Sequence, residues 1–98
     1  MRAAIDIDRH LVAEFCEARH IRRLALFGSV LRPDFGPESD VDVLVEFAPG
    51  HTPGFGFFTI QEELSEMIGR PVELHTPGFL SPYFREKVQE DADVVYAA

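Results

Sequence analysis

The sequence predicts an α/β fold, a small central sheet flanked by about four helices, in one domain over residues 1–98. Three observations lead there. Stretches with apolar residues at helical spacing alternate with short apolar runs, in the order α-β-α-β-α-β-α. Turn residues punctuate the junctions: Gly28-Ser29, Gly36-Pro37, Pro49-Gly50, Gly69 and Pro77-Gly78. Hydrophobic residues make up 46% of the chain, with nine Phe, which supports a packed core and excludes a disordered chain.

The first helix is expected over about residues 8–20, capped by Asp6 or Asp8. Leu11, Val12, Phe15 and Cys16 fall on one face, and Arg9, Glu14, Glu17 and Arg19 mostly on the other. His10 and His20 read as solvated or capping residues, with nothing nearby to complete a ligand set. Residues 22–27 form the first strand, and the unbroken apolar run from Leu24 suggests a central position covered on both faces. Residues 29–32 have room for about one helical turn, because Pro33 biases Arg32 away from helix and Gly36 and Pro37 keep the next stretch as loop. The second strand spans residues 41–47. Its alternation puts Val41, Val43, Val45 and Phe47 on one face, and Asp40, Asp42, Leu44 and Glu46 on the other.

Residues 48–57 carry Pro49, Gly50, Pro53, Gly54 and Gly56 and form the longest loop. A helix over 57–68 follows, with the stripe Phe57, Ile60, Leu64, Met67, Ile68 and a glycine, Gly69, where a helix should stop. Residues 71–75 read as a short third strand with Glu73 between two apolar neighbours. Ser81-Pro82 is a good opening pair for a last helix, with Phe84 and Val88 four apart behind Leu80. Residues 93–96 extend that helix or add a short strand.

The formal net charge of −8 argues against a polymerase-like grip on DNA or RNA, since such binding needs a cationic footprint. No apolar run approaches the ~20 residues that cross a bilayer, and the first residues lack the apolar core of a signal peptide. Cys16, the single cysteine, cannot form an internal disulfide and reads as a buried thiol. A cytoplasmic protein without membrane contact is the simplest expectation.

The chemistry concentrates between residues 26 and 45. Gly28 lets a backbone approach a phosphate, and Ser29 can cap a short helix whose N–H groups face an anion. Asp40 and Asp42 project from one face of a strand, roughly 6–7 Å apart, which suits one Mg²⁺ or a pair of ions. The bland alternatives are an ordinary strand-to-helix turn and carboxylates that protrude into water. Arg32 either neutralises charge or pairs with Asp34 or Glu38.

The pattern Gly28-Ser29-x-x-Arg32-x-Asp34, followed by Ser39-Asp40-x-Asp42-x-Leu44-Val45, resembles the signature of the DNA polymerase β-type nucleotidyltransferases. At this length the chain looks like a minimal nucleotidyltransferase (MNT), the antitoxin half of HEPN/MNT toxin–antitoxin pairs. The resemblance runs from Leu24 to Tyr96. It implies a polymerase β-like palm with a mixed sheet, Mg²⁺ held by Asp40 and Asp42, and ATP as substrate. It also implies a nucleotide site of Gly28, Ser29, Arg32 and Ser39. Relatives carry a third acid, usually Asp, where this chain has Glu73, so Glu73 becomes the third metal ligand or general base. A solvent-facing Glu on an edge strand is the alternative.

The loop over 48–57 reads as a connector that moves over the nucleotide or contacts a partner, with His51 in either role or simply exposed. Larger relatives hold their acceptor with a second domain, so the implied partner here is a HEPN ribonuclease toxin. AMP transfer to one of its hydroxyls, that of a tyrosine, would silence it within a hetero-oligomer. The alternative is a non-catalytic antitoxin or binding module that neutralises its partner by occlusion. No direct nucleic-acid binding is expected.

Overall fold

The computed structural model describes residues 7–31, 36, 39–51, 53, 54, 56–77 and 82–98, with backbone alone at residue 29 and residues 82–85. The elements run α1 (Arg9–Ala18), β1 (Ile21–Phe27), a 3-10 turn (Gly28–Leu31), β2 (Val41–Phe47), α2 (Gly56–Ile68), β3 (Val72–His75), α3 (Pro82–Asp91) and β4 (Asp93–Ala97). The strands form one sheet in the order β3-β2-β1-β4. β1 is antiparallel to β2 and β4, while β2 and β3 are parallel, so the expected mixed sheet is present. Among the described residues, the expected helices, about four, are three α-helices and the 3-10 turn. Residues 93–96 fall in strand β4, where Val94, Val95 and Tyr96 suit a pleated, half-buried surface. Among the described residues no helix is long and apolar enough to cross a membrane.

Asp8 caps α1, its carboxylate accepting from the N–H groups of His10 (3.0 Å) and Leu11 (3.2 Å). Val12, Phe15 and Cys16 of this helix are buried as expected, but Leu11 is 48% exposed. Successive helical residues point about 100° apart, so Leu11 and Val12 cannot both face the core squarely. The turn after α1 places His20 in the left-handed region at φ 58°. Its carbonyl accepts from Ala48 N–H at 2.8 Å, and its ring stacks on His51 with centroids 4.0 Å apart. His20 is therefore engaged with the loop after β2 rather than simply solvated.

One face of the sheet builds the core. Leu24 and Leu26 of β1, Val41, Val43 and Val45 of β2, and Val72 and Leu74 of β3 pack against α1 and α2 through Val12, Phe15, Ile60 and Leu64. A bulge between Ile21 and Arg23 lets Ile21 join this face, three residues from Leu24. Across the sheet, Phe27 and Leu44 pack against Val88 of α3. The Ser81 cap and the Leu80 contact expected for α3 lie outside the described residues, as does the Asp6 cap of α1.

β3 is an edge strand, and α2 closes its outer side. Ser65 Oγ accepts from Val72 N–H at 3.0 Å, and Gln61 Oε1 accepts from Leu74 N–H at 2.9 Å. Two backbone donors that would face outward from the sheet are thereby satisfied, which both fixes the strand and blunts its edge. Gly69, at φ 79°, ends α2 and returns the chain to β3.

Candidate active site

The register of the strands creates the site. Phe27 pairs with Asp42, and Asp42 with Glu73, so these three residues form one row across β1, β2 and β3. His75, two residues beyond Glu73, shares its face and pairs with Leu44 in the next row. Among the described residues, a carboxylate oxygen of Asp42, one of Glu73 and a ring nitrogen of His75 lie within 4.8 Å of one another. His75 Nε2 is 3.4 Å from Asp42 Oδ1 and 3.9 Å from Glu73 Oε1. The Phe27 ring meets the imidazole edge-on, with centroids 5.2 Å apart.

Gly28 is fitted to this arrangement in two ways. Its φ of 74° lies in the left-handed region that favours glycine. A Cβ added there would stand 2.5 Å from Asp42 Oδ2, so the missing side chain is the space the carboxylate occupies. The chain then enters the 3-10 turn at once, and Val30, fully buried, pins that turn to the core. Ser29 is consequently the second residue of the turn, inside it rather than ahead of it as a cap.

The other residues expected at the site are less concentrated. Asp40 stands one residue ahead of β2 and is exposed; it is not a member of the Asp42–Glu73–His75 group. Ser39 closes a small turn, its N–H donating to Gly36 O at 3.1 Å and its Oγ accepting from Gly36 N–H at 3.2 Å. Arg70, just beyond α2, donates to the same carbonyl at 2.9 Å and so ties that turn to the helix side of β3. Arg32 lies outside the described residues. His75 is the residue that sequence reasoning missed. The signal was present, because alternation along residues 72–75 places it on the face of Glu73.

The donor set fits a divalent cation. Donors bound at about 2.1 Å to one octahedral or tetrahedral ion stand about 3.0–3.5 Å from each other, close to the separation of Asp42 from His75. The Gly28 gap leaves Asp42 Oδ2 on the side of the turn, where a ligand bound by backbone N–H groups would sit.

The fold is thus a small mixed sheet with a glycine turn set against a strand-borne carboxylate. Residues 9–95 match the model of the nucleotidyltransferase domain, and the chain belongs to that family. Two candidate protein adenylyltransferases of Methanocaldococcus jannaschii, MJ0128 and MJ1379, are similar to it. They share 35% identity over 77 residues and 34% over 73, covering 76% and 72% of this chain and 76% and 73% of their own. A solved structure described as a candidate minimal nucleotidyltransferase has a TM-score of 0.72 at 31% identity, covering 86% of this chain and 85% of its own. Two toxin–antitoxin structures share the fold at lower identity. One, with AMP-PNP, has a TM-score of 0.74 at 15% identity, over 94% of this chain and 75% of its own. The other, a tri-AMPylated HEPN toxin of Shewanella oneidensis with its MNT antitoxin, has a TM-score of 0.66 at 14% identity, over 92% and 70%.

Proposed function

We propose that this chain transfers AMP from ATP to a hydroxyl, of a tyrosine, on a cognate HEPN-type ribonuclease toxin, and so acts as its antitoxin. The observation that carries the reading is the convergence of Asp42 and Glu73 beside the side-chain gap of Gly28. Asp40 and Asp42 hold the cation, with Mg²⁺ the ion that their hard oxygens suit. When bound, it neutralises the triphosphate and polarises the α-phosphorus. Backbone N–H groups at Gly28 and Ser29 receive the β- and γ-phosphates, Ser39 lines the nucleotide, and Arg32 adds positive charge. The acceptor oxygen bonds to the α-phosphorus as the bond to pyrophosphate breaks. Glu73, 61% exposed, completes that ligand set or takes the proton of the acceptor hydroxyl. The names of the M. jannaschii relatives support a protein acceptor, and the fold shared with toxin–antitoxin complexes supports a HEPN partner.

Incubating the chain with its toxin, ATP and Mg²⁺ should add about 329 Da per AMP to the toxin in intact mass spectra, as transfer with loss of pyrophosphate requires. The Asp42→Asn protein should add almost none in the same time. A toxin that stays unmodified, yet is silenced by an Asp40→Ala/Asp42→Ala protein, would establish neutralisation by occlusion instead.

A further inference from the structure

We propose that His75 Nε2 is a ligand of this site, so that it binds a transition-metal dication such as Mn²⁺ or Co²⁺ more tightly than Mg²⁺. The inference rests on the reading of Asp42 and Glu73 as cation-binding residues and adds a donor of different chemistry. Imidazole nitrogen contributes affinity for borderline first-row ions and little for Mg²⁺, which prefers oxygen and keeps its water. The ring is already in place: Nε2 stands 3.4 Å from Asp42 Oδ1 and 3.9 Å from Glu73 Oε1. It is 23% exposed and held edge-on by Phe27, so bringing it to a shared ion needs a small rotation and little ordering. Strand geometry supplies the rest. Glu73 and His75 share one face of β3, and Asp42 faces them from the paired position on β2, which gives a three-donor set from two hydrogen-bonded strands.

A purely structural His75, paired with Asp42 in place of a cation, makes a different prediction, and two measurements separate the two roles. Calorimetric titration of the whole chain with MnCl₂, CoCl₂ and MgCl₂ should give tighter binding of the transition ions. His75→Ala should weaken Mn²⁺ and Co²⁺ on the order of tenfold or more, and change Mg²⁺ by no more than about twofold. His75→Gln, which keeps a polar group beside Asp42, should behave like the alanine variant and guards against loss of fold. Electron spin echo modulation of the Mn²⁺-loaded wild-type protein should carry a ¹⁴N coupling that both variants lack. A bound Mn²⁺ without nitrogen coupling, or equal weakening of all three ions, overturns the role of His75. The cation site itself still stands in that case, provided Asp42→Asn abolishes binding. Wild-type protein that takes up no Mn²⁺ overturns both.

Discussion

The same strands show two unlike faces. Under α1 and α2, Leu24, Leu26, Val43, Val45 and Leu74 are buried to within a few per cent. On the opposite face, Asp42, Glu46 and His75 are half-buried and Glu73 is exposed, around a small apolar patch of Phe27, Leu44 and Val88. Strand alternation makes this division possible, because every second residue can be given to chemistry without removing a side chain from the core. The sheet's backbone hydrogen bonds serve both faces at once. Stability and reactivity are therefore separable here by substitution, and the separation can be measured.

The largest effect should fall on chemistry. Asp42→Asn is expected to lower AMP transfer on the order of a thousandfold, several kcal/mol of lost charge stabilisation. Its melting temperature should stay within a few degrees of wild type, and a collapse in a thermal melt would break the contrast between faces. The converse substitution is Leu64→Ala on α2, where the side chain is fully buried. It should cost about 2–5 kcal/mol in urea unfolding, and leave Mn²⁺ affinity per folded molecule unchanged.

Cys16 sharpens the description of the buried face. Burial pushes its thiol up to about 12, against a smaller lowering influence from Arg19. The unfolded thiol loses its proton near pH 9 while the folded one keeps it, so the unfolded state binds fewer protons. Stability should be undiminished by this group below pH 9, then fall by about 1.4 kcal/mol per unit as pH rises towards 12. Cys16→Ala should remove that slope, and native labelling of the thiol at pH 8 should be slow. The smallest effect concerns the edge that carries Glu73. Gln61→Met leaves Leu74 N–H without its acceptor, for a loss of about 1 kcal/mol, visible as faster hydrogen exchange at that amide.

Much of this arrangement was legible in the residues. Alternation along residues 41–47 separated Asp42 from the valines, and the apolar run from Leu24 marked β1 as central. What the chain could not disclose locally was which strands are neighbours. The pairing of Asp42 with Glu73 depends on β2 and β3 running parallel in one register, and that is also what brings His75 within reach of Asp42. The stack of His20 on His51 is likewise a meeting of distant turns. Val94-Val95-Tyr96 suits helix extension or strand equally by pattern, and pairing with β1 decides it. Leu11 is exposed beside the buried Val12 because neighbours on a helix point about 100° apart, so adjacency does not give a shared face.

The position of β4 has a consequence for how the molecule is made. β1 gains one neighbour, β2, from a segment close behind it, but its other neighbour is β4, with Leu24 opposite Tyr96. About seventy residues separate that pair, and closing so wide a loop is entropically slow. On a ribosome, β1 and β2 can emerge and meet while β4 is still being synthesised or is held in the exit tunnel. The central strand must then wait with one open side, a template for any passing extended chain. During that interval a partner or chaperone that shields β1 would govern the yield of folded protein, independently of how stable the finished domain is.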